Sequence, residues 1–283
     1  MHTRGCGMRC SGIALLLTAG LTLSGGISHA ASWKCKAVDK AVDGGSVETG
    51  FSIAVTSDGK PRIAYEYRID LDWNVRYAYK DETGWHIQGI ARGDSPSLVL
   101  NPAGNPRIGY GDSTLFYVYN DGIDWVSTDA LKNPYVHPQG VSLKLGSTSQ
   151  GCMSYVCGDN ATLQYVYQND AGWHNVPADD PDHKATSLWT SLALDGSTPH
   201  IGYGQRDGED HNLRHAWWNG TVWTHETVDA VGNAGEDYSP LVLDQNGKLQ
   251  IAYWQTGGAS NLLYAWKTGE GWQKETVVGG LRD

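Results

Sequence analysis

The sequence predicts an all-β chain, a β-propeller of five blades with four antiparallel strands each; six blades is the alternative count. Two observations predict it. First, a tyrosine closing an I-A-Y or I-G-Y-type group recurs at Tyr65, Tyr110, Tyr155, Tyr203 and Tyr253, at spacings of 45, 45, 48 and 50 residues. Second, each is followed, after a polar turn, by a tryptophan: Trp85, Trp125, Trp173, Trp223 and Trp272. A repeat of about 40–50 residues holding four strands is the signature of a propeller blade.

The first strand of each unit, A, is a short apolar run ending at Val55, Leu100, Leu145, Leu194 or Leu243. Strand B carries the recurrent tyrosine. Strand C is VRYAY, LFYVY, LQYVY, LRHAW or LLYAW, alternating and rich in aromatic and β-branched residues as half-buried strands require. Strand D begins at the recurrent tryptophan. Turn residues separate the runs: TSDGKP, NPAGNP and DQNGKL before B, then DETGW, NDGIDW and TGEGW before D. No segment after the leader shows a capped helical stripe. One blade cannot bury both of its faces, so neighbours must stack around an axis. WKCKAVD (33–39) matches WTHETVD (223–229) and reads as a surplus leading D strand.

Residues 1–30 stand apart. Arg4 and Arg9 precede an apolar run, 13–23, and Ser28 and Ala30 place small residues before a cleavage point, the layout of a secretory leader. The apolar run is too short to span a membrane comfortably. The expected mature chain is one domain, 31–283, secreted or periplasmic. Without Arg4 and Arg9 it has 19 Lys and Arg against 31 Asp and Glu. That acidity gives no electrostatic basis for binding nucleic acid or anionic membrane surfaces. Cys35, Cys152 and Cys157 remain, an odd number that leaves at least one without an intrachain bridge. Cys152 and Cys157 are close enough in sequence to suggest a local disulfide.

The template S-L-x-L-D-x-x-G-x-P-x-I-x-Y-x-D…L-x-Y-A…W-x-x-E-x-V-D resembles repeats of exported bacterial β-propeller proteins, and it runs from Trp33 to Val278. The five-blade count is broadly similar to that of tachylectin-type sugar-binding propellers. Their binding residues do not match this chain one by one, so the resemblance implies a fold and no site. TSDGKP is similar to the Asp-box turn of sialidases but lacks its tryptophan, and no arginine triad accompanies it.

The D-to-A and B-to-C connections of a propeller share one face. Here they are long and varied, as in EYRIDLDWN (66–74), LKNPYVHPQG (131–140), GQRDGEDHN (204–212), AVGNAGEDY (230–238) and WQTGGASN (254–261). The A-to-B and C-to-D turns on the other face are short and uniform, which reads as scaffolding. Variation on a fixed frame locates binding groups on the loop face. Trp73, Tyr135, Trp189, Tyr238 and Trp254 lie in or beside its loops, off the repeat's aromatic positions, where flat rings stack on sugars. Arg68, Asp72, Arg206, Gln255 and Asn261 are nearby hydrogen-bonding groups.

The fourth unit gathers Asp179, Asp180, Asp182 and His183 in the loop entering it, and Asp207, Glu209, Asp210 and His211 in its B-to-C loop. Such carboxylates suit Ca²⁺ or acid–base work on a glycoside; otherwise they form a solvated acidic loop. The in-register tryptophans, and Tyr77, Tyr117, Tyr165 and Tyr264, read as core. His215, in that tyrosine's place, reads as a buried hydrogen-bonded imidazole. No nucleophile elbow, phosphate loop or metal-spaced Cys/His set appears.

The expected function is an exported binding module, lectin-like, holding a carbohydrate or similar polar ligand with Asp72, Trp73, Arg206, Asp207, Asp210, His211, Trp254 and Gln255. No cofactor is expected beyond Ca²⁺. The alternatives are a glycoside hydrolase or polysaccharide lyase using the fourth unit's acids, and a protein-interaction scaffold.

Overall fold

A computed structural model describes residues 35–40, 45–131, 137–157, 161–178, 180, 185–207, 210–236, 238–258 and 260–281. Residues 1–30 and Trp33 lie outside that range. Every regular element among the described residues is a strand. Blade I is Ser46–Val55 (β1), Pro61–Ile69 (β2), Asp72–Lys80 (β3) and Trp85–Arg92 (β4). Blade II is Asp94–Leu100 (β5), Pro106–Gly111 (β6), Leu115–Asn120 (β7) and Trp125–Asp129 (β8). Blade III is Pro138–Leu145 (β9), Gly151–Cys157 (β10), Thr162–Asn169 (β11) and Gly172–Pro177 (β12). Blade IV is Ala185–Asp195 (β13), Thr198–Asp207 (β14), Asp210–Trp218 (β15) and Trp223–Asp229 (β16). In blade V the inner strand is split, Asn233–Ala234 (β17) and Leu241–Leu243 (β18), both pairing with Leu249–Thr256 (β19); Ser260–Thr268 (β20) and Gly271–Leu281 (β21) complete it. Each sheet is an antiparallel meander, so five blades match the five repeats.

The recurrent tyrosines Tyr65, Tyr110, Tyr155, Tyr203 and Tyr253 are buried, all on the side of strand B that faces the preceding blade. Four mixed clusters fill the seams between consecutive blades. Leu98, Ile108 and Tyr110 of blade II, for example, pack on Ala64, Val75 and Tyr77 of blade I. The turns into strand B tighten through a glycine in the left-handed region: Gly59, Gly104 and Gly247 have φ of 80°, 82° and 74°. Cys152 and Cys157 both lie on β10, five residues apart, with no disulfide between them. An extended strand separates such positions by about 16 Å and turns them to opposite faces, so a bridge is geometrically excluded.

A serine next to the apolar run of strand A fastens each seam. Ser52 Oγ accepts the Leu98 N–H, Ser97 that of Leu143, Ser142 that of Leu192, and Ser191 that of Leu241, each at 2.9 Å. These link blade I to II, II to III, III to IV and IV to V. The equivalent residue of blade V is Pro240, which carries no hydroxyl. The seam between blades V and I differs accordingly. Ile53, the counterpart of Leu98, Leu143, Leu192 and Leu241, is 40% exposed where those are 4% or less. Phe51 and Val55 are exposed beside it, and Val242 and Trp254 are partly exposed in blade V. Among the described residues no buried cluster joins blade V to blade I. The leading D segment covers part of the face. Val38 packs on Ile63, Tyr65 and Tyr67, and Asp39 Oδ2 accepts Tyr65 Oη at 2.6 Å and Arg76 Nη1 at 3.0 Å.

Ser142→Ala leaves the fully buried Leu192 N–H without its acceptor. It is expected to destabilise the fold by about 1–3 kcal/mol, read as a lower midpoint in urea unfolding at unchanged slope.

Candidate functional site

The B-to-C hairpins and D-to-A crossings lie on one face, as expected. In blade I, Asp70 and Leu71 form a two-residue turn with Asp70 at φ 54°, and Leu71 at its tip is 80% exposed. Trp73, 36% exposed, follows the turn, and the Arg68 guanidinium stands 5.4 Å from its ring centroid. Asp72 forms a solvent-exposed ion pair with Arg92 at 3.1 Å. An exposed indole under a guanidinium, beside a carboxylate, offers a stacking surface with hydrogen-bonding groups at its edge.

The blade IV–V seam gathers most of the remaining predicted residues. Asp207 pairs in register with Asp210, and Arg206 with His211, at the tip of the β14–β15 hairpin. The His211 amide donates to Asn233 Oδ1 at 3.3 Å, while its Nδ1 is buried without a hydrogen-bond partner. Asn233 is paired with Thr256 in blade V, next to Gln255. Gln255 donates to Val231 O at 2.7 Å and accepts from Asn261 at 3.3 Å, so its amide braces the 230–238 loop. Trp254 lies beside it, 36% exposed. Arg206 and His211 of blade IV and Gln255 of blade V therefore meet at this seam, with Asp207 and Asp210 at the tip of its hairpin. Trp254 is the exception, on the opposite side of its strand from the buried Tyr253 and open toward blade I, while Asp72 and Trp73 stand on blade I.

The acidic cluster of the fourth unit is divided. Asp180 is buried and its Oδ2 accepts Arg214 Nη2 at 2.8 Å, a structural ion pair rather than a free ligand group. It parallels Asp39 with Arg76: in both, an acid following one blade's D strand clasps an arginine on the next blade's C strand. Asp179, Asp182, His183 and Glu209 lie outside the described residues, as does Tyr135. No group of three or more His, Cys, Asp or Glu among the described residues is arranged to hold a metal. Trp189 is not exposed: its ring is buried in the IV–V core and its Nε1 donates to Gly235 O and Glu236 O, both at 3.1 Å. Tyr238, edge-on to it at 6.0 Å, is the exposed ring of that pair.

His215 is buried between His200 Nδ1, at 3.0 Å, and Glu226 Oε1, at 2.8 Å. Burial pushes both imidazoles down, His200 to about 4, and they work as neutral packing elements.

Sequence reasoning missed a second acid group on the loop face. Glu66 is buried, its Oε1 accepting Ser95 N at 2.7 Å and its Oε2 accepting Gly50 N at 3.2 Å. Asp94 begins blade II's inner strand, and its Oδ1 is buried without a hydrogen-bond partner. Burial pushes the Asp94 carboxyl up to about 6, with the charges of Glu66 and Asp112 adding to the rise against the Ser95 hydrogen bond and His137. Ser95 takes φ 52°, a left-handed conformation for a non-glycine residue that keeps its amide on Glu66. The signal was present: Glu66 follows the recurrent tyrosine where the other blades have Gly111, Val156, Gly204 and Trp254.

Comparison with known proteins shows the same architecture. No family model matches the sequence, and no curated protein matches it either. Among solved structures, the chain is similar to a protein of unknown function from Dyadobacter fermentans, with TM-score 0.60, 8% identity, and coverage of 81% of this chain and 82% of that one. It is also similar to an ulvan lyase of a polysaccharide lyase family, bound to -[GlcA(1-4)Rha3S]-, with TM-score 0.60, 14% identity, and coverage of 86% and 72%. A lectin from Aleuria aurantia in complex with α-methyl-L-fucoside gives TM-score 0.50, 13% identity, and coverage of 82% and 96%. At these identities the likeness shows the fold alone.

Proposed function

We propose that the protein is an exported carbohydrate-binding β-propeller that holds its glycan on the loop face. The observation that carries this reading is the pair of tryptophan rings, Trp73 and Trp254, each about one-third exposed on that face and away from the repeat's own aromatic positions. A surface indole is kept by what it stacks on, and sugar faces are the natural partner for a ring edged with carboxylate, guanidinium and amide groups. The solved structures of the same fold lend support, since a lyase and a lectin among them hold saccharides.

The test is a glycan array probed with the mature chain from Ala31, followed by titration of the best glycan. Trp73→Ala and Trp254→Ala are each expected to weaken binding about tenfold, on the order of 1.4 kcal/mol. Affinity unchanged in both variants ends the proposal.

A catalytic reading draws on the Asp94–Glu66 pair. A carboxyl pushed up to about 6 with a second carboxyl group near it is the kind of pairing a glycosidic acid–base reaction uses. It predicts slow depolymerisation of the bound glycan that disappears in Asp94→Asn while binding persists.

A further inference from the structure

The face opposite the variable loops repeats one arrangement at every closed seam. The D-strand tryptophan of one blade meets, edge-on, a strand-C ring of the blade before it. The pairs are Tyr77–Trp125 at 5.2 Å, Tyr117–Trp173 at 5.1 Å, Tyr165–Trp223 at 5.4 Å and His215–Trp272 at 5.6 Å. The acceptor for the indole N–H comes from the preceding blade's D strand, three residues past that blade's own tryptophan. Gln88 Oε1 accepts Trp125 Nε1 at 3.0 Å, and Glu226 Oε1 accepts Trp272 Nε1 at 2.8 Å. At the II–III seam the residue is Thr128, whose hydroxyl donates to Tyr117 O instead, and Trp173 Nε1 is buried without a hydrogen-bond partner. At the III–IV seam it is Val176, which has no acceptor, and Trp223 Nε1 is buried without a hydrogen-bond partner.

That seam also holds a cleft of about 350 Å³, lined by Tyr165, Tyr167, Val176, Trp218, Trp223 and Ser197, among others. The corresponding recess at the I–II seam is about 240 Å³ and has Gln88 in its wall. The III–IV cleft thus combines three features: a valine in place of the acceptor, a tryptophan at position 218 where blade II has Asn120, and a void larger than the I–II recess. Its volume falls within the range of about 300–1,000 Å³ typical of small-ligand sites. Among the described residues no charged side chain lines it, so an ionic ligand would enter uncompensated by them.

We propose that this cleft binds one neutral pyranose residue. The C–H face of the sugar lies on the wall of aromatic rings, and a ring or hydroxyl oxygen accepts the Trp223 N–H in the place that Gln88 and Glu226 fill elsewhere. The Ser197 hydroxyl lies in the same wall to meet a second hydroxyl. The site is separate from the loop face and stands whether or not that face binds a glycan.

The probes are the methyl pyranosides of glucose, galactose, fucose and xylose, each followed by saturation-transfer NMR on the full mature chain. At least one is expected to receive saturation from the protein. Val176→Gln restores the acceptor of the first seam and fills the void, so it is expected to cut affinity at least tenfold without lowering the melting temperature. Trp218→Ala removes a stacking wall and is expected to do the same to affinity. Saturation of none of the four glycosides overturns the proposal. So does affinity retained in Val176→Gln or Trp218→Ala.

Discussion

Asp180→Ala is expected to lower the unfolding free energy by about 3–5 kcal/mol, the cost of leaving a buried charge without its counter-ion. The side chains of Asp180 and Arg214 are only 11% and 13% exposed, so water cannot take the carboxylate's place. The strain falls on the arginine. Its Nη2 loses the Asp180 oxygen, its Nε is already buried without an acceptor, and among the described residues Nη1 alone keeps a partner, Thr227. For a domain of this size the melting temperature should drop by roughly 10 °C. A second substitution separates the pair from the lost packing. Adding Arg214→Met to Asp180→Ala removes the orphaned charge, and most of the stability is expected to return. If the double variant is no more stable than the single one, the ion pair is not what holds this seam.

Asp94→Asn is expected to stabilise the protein at neutral pH. The Asp94 carboxyl titrates near 6 in the fold against about 3.8 for an exposed aspartate, so the folded chain binds its proton more tightly. Between those values the unfolded state is ionised and the folded state is not. The wild-type protein therefore loses stability from this group as pH rises from about 4 to about 6, and the loss is constant above that. Asparagine has no such titration. The gain of the variant over wild type should be near zero at pH 4, grow through pH 5 and level off above pH 6, at a size on the order of 2 kcal/mol. Paired chemical-denaturation curves at pH 4, 5, 6 and 7 check it; a difference that does not change with pH refutes the raised carboxyl.

The fold was legible because its determinants are periodic. Tyr65 and its four counterparts fall on the same side of strand B in every blade, and Trp125, Trp173, Trp223 and Trp272 each meet the blade before them, so one alignment reveals both. The tryptophans proved half-buried rather than core, because each lies at the mouth of a seam where one edge remains open. The candidate ring positions were legible only where a residue broke the pattern by itself, as Trp73 and Trp254 do. Asp94 and Glu66 escaped notice because they come together from two blades, although Glu66 by itself departs from the residues that follow the recurrent tyrosine elsewhere. Val176 escaped because a valine in a strand is ordinary until its four counterparts are seen to be Gln88, Thr128, Glu226 and Glu275. The uniform face was read as scaffolding on the strength of its short turns, yet its cleft is shaped by strand residues, which turn length does not report.

Pro240 ends the relay of serine hydroxyls, and with it the mechanical symmetry of the molecule. Five units joined through four fastened junctions behave as a row with two ends, so each outer unit is held from one side while the middle three are held from both. Amide protons of blades I and V should therefore exchange ahead of those in blade III, and melting should spread inward rather than strike all units at once.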